Sequence, residues 1–104
     1  MTHRLTAADL APGQLGERAT LVQFSSAFCQ PCRATRRVLD KVAAMVDGVH
    51  HVEIDAEDRL ALVRRLDIRR TPTVLVLDAD GRVVSAAEGQ PRTVDVIAAV
   101  GRAL

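Results

Sequence analysis

The chain has 104 residues, of which 48% are hydrophobic and 26% charged, and its net charge is +1. This length suits one domain spanning residues 1–104, and the charge balance argues against binding to nucleic acid or to an anionic membrane. The first ten residues contain no apolar stretch long enough for a signal peptide or a membrane span. We therefore expect a cytoplasmic monomer without membrane contact; the alternative is a soluble domain cut from a membrane-anchored or exported protein.

Hydrophobic periodicity and turn residues predict the elements in chain order. They are an edge strand at 3–5, a helical turn at 6–10, a buried strand at 19–25, a helix at 33–46, a strand at 49–54, a helix capped by Asp55 at 57–66, a hairpin of strands at 73–77 and 82–87, and a helix at 91–100. We expect the strand–helix–strand steps to form right-handed parallel crossovers and the hairpin to add antiparallel strands. The order predicts an α/β fold, with a central mixed sheet flanked by helices on both faces.

The helix at 33–46 is predicted to be amphipathic, with an apolar stripe packed on the sheet. The stripe comprises Ala34, Val38, Val42, Met45 and Val46. Charged residues occupy the opposite face: Arg33, Arg36, Arg37, Asp40 and Lys41.

The segment Cys29-Gln30-Pro31-Cys32 contains the only two cysteines and joins a strand to a helix. Free N–H groups and the dipole at a helix N-terminus favour a thiolate, which is the nucleophile in disulfide exchange. We expect Cys29 at the helix cap, exposed and activated, and Cys32 one turn further in. Pro31 suits the first helical turn, and Arg33 adds positive charge nearby. The pattern therefore predicts a redox-active dithiol.

Two other interpretations of the cysteines are a pair of idle thiols and a metal site. A closed zinc site needs four ligands, and only His50 and His51 are obvious partners for the two cysteines. Adjacent residues on a strand point to opposite faces of the sheet. We therefore expect no metal site within one chain.

Ordered landmarks along most of the chain, from about residue 19 to the C-terminus, resemble those of the thioredoxin family. They are Phe24-Ser-Ser-Ala-Phe-Cys29-Gln-Pro-Cys32-Arg33, Val52-Glu-Ile-Asp55, Ile68-Arg-Arg-Thr-Pro72-Thr73, Asp80-Gly81 and Gly89. The resemblance implies a thioredoxin fold and a thiol–disulfide oxidoreductase.

The resemblance also implies roles for individual residues. Cys29 would attack a substrate disulfide and Cys32 would resolve the mixed disulfide. Pro72 would be a cis-proline facing the disulfide, Thr71 would offer backbone hydrogen bonds to a bound peptide, and Gly89 would line the substrate groove. The implied partners are disulfide-containing proteins and a reductase or dithiol electron donor, with no bound cofactor beyond the redox-active disulfide.

Several positions depart from the family pattern. Phe28 replaces a tryptophan and is expected to keep an apolar shield, and Gln30 replaces a glycine between the cysteines. Gln23 stands where the family has a buried aspartate, and His51 where it has a lysine. Histidine is the side chain whose ordinary charge change falls near neutral pH, so His51 is a candidate proton acceptor for Cys32; the alternative is a strand histidine hydrogen-bonded to Gln23 or water.

Arg69 and Arg70 precede the Thr-Pro pair and make the expected groove rim basic, which suits acidic partners. The preferred function is reduction of disulfides in partner proteins. Three alternatives remain open at this point: an oxidising or electron-relay domain for a dedicated partner, a non-catalytic binding module with a thioredoxin fold, and a metal or iron–sulfur binder bridged between chains.

Overall fold

The computed structural model describes residues 3–104, which form a four-stranded sheet with helices on both faces. The elements are α1 (Ala7–Leu10), β1 (Ala19–Ser25), α2 (Gln30–Met45), β2 (Val49–Asp55), α3 (Leu60–Arg65), β3 (Thr73–Asp78), β4 (Val83–Glu88) and α4 (Thr93–Ala103). The strand order is β2-β1-β3-β4. The pair β1–β2 is parallel, whereas β1–β3 and β3–β4 are antiparallel. The predicted mixed sheet between two helical layers is confirmed.

Each face of the sheet has its own hydrophobic core, and β1 contributes to both. All seven residues of β1 are buried, and successive side chains of a strand point to opposite faces. Leu21 packs with Leu39 of α2 and Val100 of α4 on one face. Val22 packs with Leu62 of α3 on the other. The carboxyl end of β1 therefore leads the chain, between two packed layers, to the start of α2.

The direction of β3 differs from the prediction. The step from β1 through α2 to β2 joins parallel strands, but β3 runs antiparallel to β1 and hence to β2. Five of the six residues of β3 are buried, whereas β4 is largely exposed. The more apolar strand of the hairpin therefore takes the central position beside β1, and β4 takes the edge.

Helix α2 begins at Gln30, three residues earlier than predicted, because Cys29 caps it. The predicted stripe is also displaced: Met45 is 59% exposed, whereas Leu39 is fully buried. The buried face of the helix consists of Cys32, Thr35, Leu39 and Val42. Because α2 starts at Gln30, its buried face includes Cys32 and so extends to the redox motif.

The predicted helix at 57–66 is split in two. Asp55 caps a 3-10 turn, Ala56–Asp58, by accepting a hydrogen bond from the backbone N–H of Glu57, and α3 follows. Between them Arg59 leaves the helical conformation, with φ −135° and ψ 53°. Its guanidinium donates to the carbonyl oxygen of Asp9 at 2.7 Å. This hydrogen bond holds the break between the 3-10 turn and α3 against the C-terminal end of α1.

The remaining boundaries follow local hydrogen bonds. The predicted strand at 3–5 is a single antiparallel bridge between Arg4 and Arg82. The final helix begins at Thr93 rather than 91, because Arg92 is still extended. The predicted hairpin turn is present, with the Asp78 carboxylate accepting the backbone N–H groups of residues 80 and 82. Within residues 3–104, no helix has the length and apolar character needed to cross a membrane.

Candidate active site

Cys29 and Cys32 form a disulfide at the N-terminus of α2, immediately after the carboxyl end of β1. Cys29 is half-buried and is the N-cap residue, and its Sγ accepts a hydrogen bond from the backbone N–H of Cys32 at 3.2 Å. Cys32 is only 1% exposed. Cys29 therefore presents the sulfur that a partner can reach, and Cys32 lies behind it.

The start of α2 suits a negatively charged sulfur. Gln30 and Pro31 occupy the first turn, where Pro31 removes an N–H that has no helical partner. The remaining free N–H groups and the helix dipole favour a thiolate at Cys29. Arg33 is exposed on the same helix, one turn from the cap. The cap position of Cys29 and the place of Pro31 are as predicted, whereas Cys29 is half-buried rather than exposed. The thiolate character of Cys29 stays a prediction.

Thr71, Pro72 and Gly89 lie together beside the loop that precedes Cys29. The Thr71–Pro72 peptide bond is cis, the conformation that the resemblance implies. The hydroxyl of Thr71 is 2.8 Å from the hydroxyl of Ser26, and the backbone N–H of Gly89 donates to the Pro72 carbonyl at 2.9 Å. Arg70 is exposed directly before this pair. The structure thus joins three of the expected groove residues to each other and to the redox loop.

Phe28 does not shield the disulfide, so that expectation is wrong. Its side chain is 100% exposed. The backbone at Phe28 has φ +60°, in the left-handed region that non-glycine residues rarely adopt. This conformation turns the ring away from the protein and leaves an apolar group projecting next to Cys29.

A polar network lies beneath Cys32, centred on the fully buried Gln23. The Nε2 group of Gln23 donates to the carbonyl oxygen of Cys32 at 2.8 Å and to the hydroxyl of Ser25 at 3.0 Å. Ser25 in turn donates to Glu53 at 2.7 Å. The amide that replaces the family's buried carboxyl therefore ties the start of α2 to β1 and β2.

Arg36 closes this side of the network with a two-point ion pair to Glu53. Its Nε and Nη2 atoms donate to the two carboxylate oxygens at 2.6 and 2.8 Å. The Arg36 hydrogen bond lowers the pKa of Glu53, although partial burial opposes the shift and the Ser25 hydroxyl adds to it. The same pair raises the pKa of Arg36. Glu53 is thereby held as a carboxylate that accepts from Ser25.

His51 lies on the other side of Gln23. Its Nε2 is 3.1 Å from Oε1 of Gln23, and its Nδ1 is 2.6 Å from Oδ1 of Asp40. The hydrogen bond to Gln23 corresponds to the alternative stated for this histidine. In the chain of hydrogen bonds, Gln23 stands between the imidazole and Cys32.

Sequence reasoning missed four members of this network: Ser25, Arg36, Asp40 and Glu53. Two patterns group these residues, although neither specifies their contacts. Arg36 and Asp40 are spaced i, i+4 on one face of α2. The parallel register pairs Gln23 with Glu53 and Ser25 with Asp55, so alternate residues of β1 and β2 face the same helix.

Metal binding has no geometric support in the part of the chain that the structure describes. Within residues 3–104, no three histidine, cysteine, aspartate or glutamate side chains are grouped so as to hold a metal ion. His50 is exposed, and the His51 ring is hydrogen-bonded to Gln23 and Asp40.

Comparisons with known proteins agree with the geometry of the site. The family model described as Thioredoxin matches residues 12–101. A thioredoxin of Alicyclobacillus acidocaldarius subsp. acidocaldarius is 32% identical over 93 residues, covering 88% of each chain. Thioredoxin domain-containing protein 2 of Mus musculus is 34% identical over 58 residues, which are 56% of this chain. The matched segment spans only 11% of that mouse protein.

The fold is also shared with solved structures. A mutant thioredoxin from Halobacterium salinarum NRC-1 superposes with a TM-score of 0.76 at 21% sequence identity. The match covers 84% of this chain and 75% of that one. At this level of identity the likeness concerns the fold alone.

Proposed function

Because the chain belongs to the thioredoxin family, we propose that it is a thiol–disulfide oxidoreductase that reduces disulfides in partner proteins. One observation carries the proposal: Cys29 Sγ lies at the N-terminus of α2 while Cys32 is buried directly behind it. An accessible sulfur stabilised by helix N–H groups can attack, and a second sulfur bonded to it can release the product.

The reaction proceeds in two exchanges. The Cys29 thiolate attacks one sulfur of the partner's disulfide, which forms a mixed disulfide and frees one partner thiolate. Cys32 then loses its proton and attacks Cys29 Sγ, which forms the Cys29–Cys32 disulfide and frees the second partner thiolate. Two electrons pass from the dithiol to the partner, and solvent supplies the protons that the partner thiolates take up.

The partner segment docks in the groove formed by Thr71, Pro72 and Gly89. The backbone of Thr71 supplies hydrogen bonds to an extended segment of the partner. The exposed ring of Phe28, next to Cys29 in the chain, offers an apolar contact to the partner, and Arg70 favours acidic partners. A reductase or a dithiol protein returns electrons to the oxidised pair, so the cycle needs no bound cofactor.

Reduction of insulin disulfides tests this function. We expect the wild-type protein to accelerate the reduction of insulin by dithiothreitol and Cys29→Ser to abolish the acceleration, because the attacking thiolate is gone. Cys32→Ser keeps the attacking sulfur and loses the resolving one, so the mixed disulfide with the partner should accumulate. The matched control is Ser85→Ala, which removes a hydroxyl from the edge strand β4 and leaves both thiols and the groove residues in place.

Equal insulin reduction by wild type and Cys29→Ser would overturn the proposal. That result would favour a thioredoxin-fold binding module whose dithiol is not used.

A further inference from the structure

The polar network contains a residue that neither the redox motif nor the family resemblance points to. Asp40 lies on the outer side of α2, and its side chain is 63% exposed. The side chain of His51, its partner, is only 8% exposed. Among the described residues, Asp40 and Gln23 are the two hydrogen-bond partners of the His51 ring.

The directions of the hydrogen bonds around Gln23 are fixed by groups that can only accept. The Glu53 carboxylate takes the Ser25 proton, so Ser25 must accept from Gln23. The Cys32 carbonyl takes the second hydrogen of the Gln23 amide nitrogen. The amide oxygen of Gln23 is therefore the atom facing His51, and it accepts a hydrogen from Nε2.

The other ring nitrogen of His51, Nδ1, also faces a group that can only accept a hydrogen bond. The carboxylate of Asp40 is also an acceptor, so Nδ1 of His51 carries a hydrogen as well. A neutral imidazole has one N–H group, and only the imidazolium has two. The two hydrogen bonds are made together only when His51 is positively charged.

We propose that Asp40 is a positioning residue of the redox site, which holds His51 as an imidazolium and directs its charge through Gln23 toward Cys32. The proposal rests on the resolving role given to Cys32 under the proposed function. The Asp40 carboxylate is in water, which screens its charge, whereas the His51 imidazolium is buried. The weakly screened charge of His51 favours the thiolate of Cys32, the form that attacks the mixed disulfide.

The other charged groups around Gln23, Glu53 and Arg36, do not reverse the positive field that His51 produces there. Glu53 follows His51 by two residues on β2, and Arg36 lies one turn before Asp40 on α2. They pair at 2.6 Å, and the Arg36 and Glu53 side chains are 44% and 26% exposed, a smaller difference than that between Asp40 and His51, so the field they leave at Gln23 is the smaller one. His51 thus keeps a positive charge where the family pattern has a lysine, while the neutral amide of Gln23 replaces the buried carboxylate of that pattern.

The protonation of His51 is tested directly by NMR. In long-range ¹H–¹⁵N spectra of the uniformly ¹⁵N-labelled wild-type protein at pH 7, we expect the two ring nitrogens of His51 to show the similar shifts of an imidazolium. In Asp40→Asn, where the carboxylate is replaced by a neutral amide, they should separate to the unequal shifts of a neutral tautomer. Unequal shifts in the wild-type protein would overturn the proposal.

The effect on Cys32 is measured in a Cys29→Ser background, where Cys32 is the only thiol. Its ionisation is followed by thiolate absorbance as the pH is raised. Adding Asp40→Asn should lower the thiolate fraction of Cys32 about threefold to tenfold at a given pH below the midpoint, because a nearby positive charge is lost. Asp40→Glu, which keeps the carboxylate, should retain most of the wild-type thiolate fraction of Cys32.

Asp47→Asn is the matched control, since it removes the same charge just beyond α2, at an exposed residue whose side chain makes no hydrogen bond within residues 3–104. An unchanged Cys32 titration in Asp40→Asn, or an equal shift in Asp47→Asn, would contradict the proposal. Since neither readout needs turnover, both stand apart from the insulin assay and from the fate of the proposed function. If Asp40→Asn fails to fold, the wild-type NMR spectrum alone decides.

Discussion

Gln23 is the residue through which both arms of the buried network reach the redox motif. One arm runs to Ser25, Glu53 and Arg36, and the other to His51 and Asp40. A glutamine has two donors and one acceptor group, and all three are used here. Since a buried amide that lost these partners would be left unsatisfied at a cost of about 1–3 kcal/mol, the network fixes one orientation of Gln23 beneath Cys32.

Glu53 gives this network a dependence on pH. Arg36 holds the pKa of Glu53 below the ordinary glutamate value of about 4.3. The folded protein therefore binds fewer protons than the unfolded chain just below that value, and stability is lost as pH falls through the lowered pKa of the folded state. We expect Glu53→Gln to lower the urea midpoint at pH 7, and its difference from the wild-type midpoint to shrink as the pH is lowered to 3.

Urea unfolding at the two pH values checks this expectation. Glu17→Gln, at an exposed residue with no ion pair within residues 3–104, is the control and should follow the wild type throughout. A difference between Glu53→Gln and wild type that stays the same at pH 3 would show that the pair contributes through packing rather than charge.

At the scale of elements, the β3–β4 hairpin supports the N-terminal segment as well as the sheet. Gly81, in the turn, has φ +85°, and its carbonyl accepts the backbone N–H of Leu5 at 2.8 Å. A Cβ atom at this position would lie 2.1 Å from the Leu5 carbonyl oxygen. The turn glycine predicted from the sequence therefore has a second role, which is to allow close contact with the segment around Leu5. A local turn pattern does not predict that contact.

Gly81→Ala should lower the free energy of unfolding by about 2–4 kcal/mol, because the left-handed backbone is strained and the N-terminal segment must move. Gly101→Ala is the matched variant, since its Cβ would meet nothing within 4 Å on α4. That helical substitution should raise stability by about 0.5–1 kcal/mol. Denaturant unfolding measures both, and a Gly81→Ala protein within about 0.5 kcal/mol of wild type would refute the close contact.

At the scale of the whole molecule, the sequence was sufficient for features carried by local pattern. The buried strand at 19–25, the cap at Cys29 and the hairpin turn at 78–81 follow from periodicity and turn chemistry, whereas the first helical residue after the cap was predicted three residues too late. The direction of β3 could not be predicted from the sequence, because a buried apolar strand has the same residue pattern in parallel and antiparallel sheets. The Asp40–His51 contact also depends on how α2 packs across β1 and β2, which no local spacing specifies.

The central claim is that Cys29 and Cys32 cycle between dithiol and disulfide as a reductant. Its most direct test is the reduction potential of the pair, measured by equilibrating the protein with glutathione buffers and counting the fraction in the disulfide form. We expect full interconversion with a midpoint at or below that of the glutathione pool, about −220 mV or lower. A pair that does not exchange, or a midpoint near about −120 mV as in strongly oxidising proteins, would contradict it.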